Sequence, residues 1–240
     1  MLVVGTSCSV DSKSLYQSAS AEFGPVRPGV EVLLEDSLHL VTGKRVGLLT
    51  NQTGVDASGR SSIDRIFEHD DIDLVALFSP EHGIRGTAEA GETVEDGRDP
   101  ETGLPIHSLY GSVRKPTPEM LEGIDVLLVD YQDIGARYWT YASTMTLAME
   151  AAGEAEIPVV VLDRPNPIGG ATQGNILLPR FGTFVGRFPI PMRHGMTPGE
   201  LARYSSGEFG IEVDLHVAPA EGWSRDMTFA ETRLPWIQPS

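Results

Sequence analysis

The sequence predicts an α/β domain built on a mostly parallel sheet flanked by helices. Three observations carry that prediction. Short apolar, β-rich runs recur at 45–51, 74–78, 124–130 and 157–162. Segments with helical spacing separate them, and each run stops on polar residues, at Asn51, Glu81, Asp130 and Asp163. Strands alternating with helices pair in parallel through right-handed crossovers, so the four polar loops open on one edge of the sheet. Ligands of such sheets bind beyond the carboxyl ends of the strands, which makes that edge the expected site.

In chain order, Val30, Leu33, Leu34 and Leu38 have the spacing of an amphipathic opening helix over 30–40, stopped by Gly43. The strand 45–51 leads to the polar loop Gln52-Thr53-Gly54. Ser61 is a candidate N-cap for a helix carrying Ile63, Ile66 and Phe67. The strand 74–78 ends at Ser79-Pro80-Glu81-His82-Gly83, a carboxylate and an imidazole side by side on a loop. From 82 to 106 the chain is rich in glycine and charge without a period, which reads as a functional loop or lid. Thr117-Pro118 opens a short helix before the strand 124–130. Gly135-Ala136-Arg137 opens a longer helix running to Gly153. The strand 157–162 ends on Asp163-Arg164-Pro165-Asn166. Beyond Gly170, 184–191 is extended and broken by proline, Thr197 and Glu200 stand at capping-box spacing before a helix, and 211–217 alternates as a half-exposed strand.

Composition narrows the partners. The chain of 240 residues carries 18 basic and 34 acidic side chains, a net charge of -16, which opposes binding to nucleic acid or to an anionic membrane surface. Its single cysteine, Cys8, allows neither an intrachain disulfide nor a cysteine-rich metal site. No segment has the apolar length of a transmembrane helix. There is no G-x-G-x-x-G turn after the first strand and no phosphate-binding G-x-x-x-x-G-K-[ST], so a nucleotide cofactor is not expected. Residues 1–8 are similar to the end of an export signal that stops on a lipoprotein-type cysteine, and the Ser-rich stretch that follows reads as a tether. An exported protein, with Cys8 as a lipid anchor, is the expectation.

Five ordered segments then carry a resemblance. Leu49-Thr50-Asn51-Gln52-Thr53-Gly54, Phe78-Ser79-Pro80-Glu81-His82-Gly83-Ile84-Arg85-Gly86, Gln132-Asp133-Ile134-Gly135-Ala136-Arg137, Leu162-Asp163-Arg164-Pro165-Asn166-Pro167-Ile168-Gly169-Gly170 and Pro191-Met192-Arg193-His194-Gly195-Met196-Thr197 resemble the exo-β-N-acetylmuramidase family. The resemblance implies a bacterial, exported glycoside hydrolase that releases N-acetylmuramic acid from the non-reducing end of peptidoglycan fragments. It implies a Rossmann-like larger domain, with the cleft against a smaller C-terminal domain. Members continue past the Leu234-Pro235-Trp236 segment, so three parts are expected: a signal remnant or tether over 1–28, the catalytic domain over 29–218, and the start of a truncated C-terminal domain over 219–240.

The resemblance places the family's key glutamate on Glu81, as the general acid. Glycoside cleavage commonly needs a second carboxylate. Asp130 and Asp133 are the candidates, with Asp163 as second choice because Asp-Arg-Pro-Asn is equally an internally paired turn. A substrate-assisted course, in which an aspartate orients the acetamido group, stays open. Muramic acid differs from glucosamine by a lactyl carboxylate, for which a guanidinium is the natural receptor; Arg85, Arg137, Arg164 and Arg193 lie in the rim loops. Asn51, Gln132, Asp163 and Asn166 are candidate substrate-binding residues, and His82 and His194 are candidates for hydrogen bonds to sugar hydroxyls. Tyr138, Trp139 and Tyr141 are candidates for stacking on a sugar face, with core packing as the alternative. Two other readings compete: a non-catalytic glycan-binding fragment, and a metal-dependent hydrolase using Glu81, His82, Asp130 and His194.

Overall fold

The computed structural model describes residues 24–86 and 96–239. The export-signal and Cys8 expectations lie outside the described residues, as does 87–95 of the expected lid. Seven strands form the main sheet: β1 (Arg45–Thr50), β2 (Asp73–Ser79), β3 (Gly97–Arg98), β4 (Pro105–Ser108), β5 (Val126–Asp130), β6 (Val159–Leu162) and, last in the chain, β9 (Leu215–Ala218). Their spatial order is β3-β4-β2-β1-β5-β6-β9, all parallel except the edge strand β3. Counted in chain order, the six parallel strands therefore run 3-2-1-4-5-6, a doubly wound arrangement. A small hairpin pairs β7 (Gln173–Ile176) with β8 (Pro191–Arg193).

Side chains of a strand point alternately to the two faces. Val126, Leu128, Val160 and Leu162 pack with Val30 and Leu33 of α1 (Gly29–Asp36) and with Ile63 and Ile66 of α2 (Ser62–Phe67). Leu127, Val129, Val159 and Val161 pack on the other face with Tyr141, Met145 and Met149 of α3 (Thr140–Glu154) and Leu201 of α4 (Pro198–Phe209). Continuous apolar runs are what a strand covered on both faces requires. The chain builds outward from β1 through β2 and β4, then returns to β1's other side with β5. That reversal puts a topological switch point between β1 and β5, where the loops after them diverge and leave a crevice.

Local signals set most element ends. The Ser61 hydroxyl accepts from the Ile63 amide at the start of α2, and Thr197 and Glu200 form a full capping box on α4. Five expectations are corrected. The opening helix ends at Asp36, and Leu38–Leu40 is a separate 3-10 turn. The segment after Pro118 makes hydrogen-bonded turns and no helix, with Leu121 N bonded to Thr117 O and Pro118 O. The long helix begins at Thr140, because Gly135 has φ +78 and the Arg137 amide bonds instead to Met192 O. Part of the expected lid is strand: β4 extends the sheet beside β2, and its Pro-Ile-His-Ser sequence lacks an apolar run because it lies near the edge. Of 211–217, only the part from Leu215 is strand, and the strand runs on to Ala218.

Candidate active site

The loops after β1, β2, β4, β5 and β6 do meet on one edge. Asn51 opens the first. Its Oδ1 accepts from the Thr53 amide (3.0 Å) and hydroxyl (2.6 Å), and the Thr53 oxygen accepts from the Gln132 amide (2.8 Å), which ties the β1 loop to the β5 loop. Gln132 Nε2 then donates to Pro165 O (2.8 Å), and Asn166 Nδ2 to Met196 O (2.9 Å). Gly135 packs on the Asn166 side chain so closely that a Cβ there would overlap it, at a φ that L-residues rarely adopt. Asn51, Gln132 and Asn166 are thus buried members of a frame that joins three strand ends.

Asp130 and Arg164 lie beneath this frame. Arg164 Nε and Nη2 reach Asp130 Oδ1 and Oδ2 at 2.5 and 2.9 Å, Nη2 also donates to Val55 O, and the Ser62 hydroxyl donates to Asp130 Oδ2. Both side chains are essentially inaccessible, at 4 and 0% exposure. A carboxylate locked by a guanidinium fork and a hydroxyl has no face left for a sugar, so the geometry assigns this pair to holding β5 and β6 together. Asp163 is committed as well. Its carboxylate accepts from the Thr197 hydroxyl and from the Gly199 and Arg164 amides, anchoring the start of α4. Burial pushes its pKa up to about 6, against those bonds.

Glu81 sits differently. It follows β2 directly, in a turn where His82 and Gly83 both have left-handed backbone (φ 72 and 75), a tight reversal that holds Glu81 at the strand end. Thr140 Oγ1 donates to Glu81 Oε2 at 2.8 Å, and the Tyr110 hydroxyl is also hydrogen bonded to Glu81. The Tyr110 phenol is raised by burial first and by the Glu81 charge second. Tyr141 is raised by burial, then by Glu81, and to a lesser degree by Asp133, while the Asn51 amide opposes the rise. Glu81, Asn51 and Asp133 therefore surround one buried phenol, whose hydroxyl donates to Pro239 O at 2.6 Å. That neighbourhood is the meeting point of the β1, β2 and β5 loops.

Asp133 is the other carboxylate at this edge. Its Oδ1 accepts from the Gly135 amide (2.5 Å) and lies 3.7 Å from His194 Nε2, while its Oδ2 is buried with no hydrogen-bond partner. His194 Nδ1 accepts from the Met196 amide, which leaves the His194 proton on Nε2, facing Asp133. His82 is buried at the turn beside Glu81.

The rim arginines are mostly engaged. Arg85 bonds the buried Asp99 through two nitrogens and pairs also with Asp64 and Glu101, which pins the Glu81 loop to β3 and α2. Arg137 donates to Asn175 O and Ile190 O, and Arg193 to Ile168 O and Gln173 Oε1. Tyr141 is core at 1% exposure, whereas Tyr138 is 51% exposed beside a hollow lined by Ile134, Pro167, Ile168, Phe229 and Trp236. Tyr110 and Thr140 were not singled out from sequence. Tyr110 follows β4, so recognising Pro105–Ser108 as a strand would have brought it to the site edge. Among the described residues, no three His, Cys, Asp or Glu side chains gather as a metal ion would need, and Asp130 of the metal-hydrolase reading is held by Arg164.

The sequence profile of a family described as exo-beta-N-acetylmuramidase NamZ, N-terminal, matches residues 46–240, from β1 onward. The chain belongs to this family. Peptidoglycan beta-N-acetylmuramidase NamZ of Bacillus subtilis (strain 168) is 49% identical over 239 residues, 99% of this chain and 57% of the relative. Two crystal structures of DUF1343 family proteins from Bacteroides fragilis NCTC 9343 share the fold. One superposes with a TM-score of 0.83 at 49% identity over 88% of this chain and 54% of its own, the other with 0.74 at 34% over 86% and 55%. The chain thus spans somewhat over half the length of each. Throughout the NamZ family match, the site motifs fall inside the aligned region, from Asn51 to His194.

Proposed function

We propose that this chain carries the acid–base centre of an exo-acting glycoside hydrolase that releases N-acetylmuramic acid from peptidoglycan fragments, with Glu81 as general acid. The observation that carries the reading is the setting of Glu81: a carboxyl group at a strand's carboxyl end, on the crevice edge, held by two hydroxyls. A hydroxyl donates to a carboxylate and can turn to accept from a carboxylic acid, so Thr140 and Tyr110 serve Glu81 in both protonation states. In the first step Glu81 gives its proton to the leaving glycosidic oxygen. Asp133 acts as the partner: its Oδ2 is buried and unpaired, a free acceptor for a water or for the acetamido N–H of a substrate seated against it. Membership of the NamZ family and 49% identity to a named muramidase support the substrate class. Tyr138 and the neighbouring Trp236 offer an apolar rim for a sugar face. Action on wall fragments agrees with an exported protein, anchored through Cys8.

The test is release of N-acetylmuramic acid from a MurNAc-GlcNAc disaccharide, comparing the protein with Glu81→Gln. Loss of a positioned acid lowers kcat by ~10²–10⁴-fold. Equal rates in the two forms would remove Glu81 from the chemistry, and saccharide binding without turnover in both would favour a glycan-binding module.

A further inference from the structure

An acidic sugar approaching a chain with net charge -16 needs a local cation at the site. The arginines in the motif segments are each engaged within the fold: Arg85 and Arg164 are tied to carboxylates, Arg137 donates through Nη1 to two backbone carbonyls, and Arg193 donates to a backbone carbonyl and to Gln173. Arg114, which lies outside those motifs, is placed differently. Its guanidinium carbon stands 4.4 Å from the centroid of the Phe184 ring, and among the described residues the side chain has no hydrogen-bonded or carboxylate partner. Stacking on an aromatic face fixes the guanidinium plane and leaves its N–H groups directed outward.

The position relative to the acid is what gives Arg114 a role. The Arg114 charge acts on the Tyr110 phenol, lowering its pKa against burial and Glu81, and that same hydroxyl is bonded to Glu81. The Tyr110 and Phe184 rings lie 6.3 Å apart. Arg114 is therefore one side chain removed from Glu81. It opens on a cavity of about 460 Å³ lined also by Leu147, Pro179, Thr183, Phe184 and Arg187. Arg187 also lines it, with its guanidinium bonded to Thr146 and Glu150.

We propose that Arg114 is the receptor for the substrate's carboxylate: it binds the lactyl group of the muramic acid whose glycosidic oxygen Glu81 protonates, and so selects muramic acid over glucosamine. This rests on the reading of Glu81 given above. The lactyl ether is on the third ring carbon, two bonds round the ring from the anomeric carbon, so with the leaving oxygen at Glu81 its carboxylate falls about one side-chain breadth away. Phe184 and Tyr110 then flank the lactyl methyl and the ring edge.

Two measurements test the proposal. In the first, kcat/KM is compared for a chromogenic N-acetylmuramide and the matching N-acetylglucosaminide, in the unaltered protein, Arg114→Met and Arg114→Lys. A lost charge-assisted hydrogen bond corresponds to a fall of ~10–100-fold in the muramide/glucosaminide ratio for Arg114→Met, carried by KM, with part restored by lysine. A ratio unchanged within about twofold would overturn the proposal. The second reads binding without turnover: N-acetylmuramic acid against its lactyl methyl ester, titrated by NMR into the unaltered, Glu81→Gln and Arg114→Met proteins. Preference for the acid that survives Glu81→Gln and disappears in Arg114→Met supports Arg114, even should the glycosidase assay fail and sink the Glu81 reading. Equal binding of acid and ester, or no binding of either, overturns Arg114 whatever Glu81 does.

Discussion

Replacing Asp130 by asparagine separates a structural from a catalytic carboxylate. Asp130 receives two charged hydrogen bonds from Arg164 and one from Ser62, at 0% exposure. Asparagine keeps one acceptor and turns an N–H toward a donor, leaving a guanidinium that is 4% exposed without its counter-charge. Removing one partner of such a buried pair costs ~3–5 kcal/mol. The Ser62 hydroxyl can rotate to accept from the new amide, and Val55 O still holds Nη2, which sets the expectation near 3. With a urea m-value of about 3 kcal/mol/M, the unfolding midpoint falls by about 1 M at constant m. A domain stability of ~5–15 kcal/mol leaves the variant folded at 25 °C. Urea unfolding followed by tryptophan fluorescence gives the stability, and muramide release per folded molecule gives the activity. The expected result is a clear loss of stability with kcat within a few-fold. A loss under about 1 kcal/mol would refute the energetic argument. A collapse of kcat at unchanged stability would refute the structural assignment and return Asp130 to the chemistry.

Asp133→Asn is expected to do the reverse: the bond from the Gly135 amide survives in the asparagine, stability stays within about 1 kcal/mol, and muramide release falls by ~10²-fold or more because the unpaired acceptor Oδ2 is lost. Asp163 predicts a pH dependence. Its folded pKa of about 6 lies above the ordinary 3.8, so between these values the folded state holds a proton that the unfolded chain releases. Stability from this group is therefore present below about pH 4 and lost as pH rises through 6, by roughly 3 kcal/mol. Unfolding midpoints measured across that window should show the decline in the unaltered protein and its absence in Asp163→Asn; parallel curves would contradict the assignment.

Much of this was legible in the sequence because it is written in local patterns. The stretches 46–49, 126–129 and 159–162 are apolar throughout since both faces of a central strand are buried, and a parallel sheet with its polar loops on one edge follows from their alternation with helices. The place of Glu81 could be read the same way, as a carboxylate just beyond the end of a buried strand. The capping box of Thr197 and Glu200 needs only residues three apart. Strand β4, second from the sheet margin, carries no apolar run, and Tyr110 just beyond it therefore has no local signal.

What the tertiary structure decided was which of several equivalent side chains do what. Asp130, Asp133 and Asp163 all lie at the carboxyl ends of buried strands, and no local pattern separates them. Packing does: Arg164 takes the first, the amino end of α4 takes the third, and Asp133 is left with an unpaired oxygen. The arginines divide likewise, those in the motifs being bound to partners distant in sequence while Arg114 rests on Phe184, 70 positions away. Strand and helix signals are short-range, and the chain carries them openly. Ion pairs and stacking join residues that only the fold brings together, so the sequence determined the architecture and the edge where the polar loops meet, and the fold set the partners of the groups at that edge.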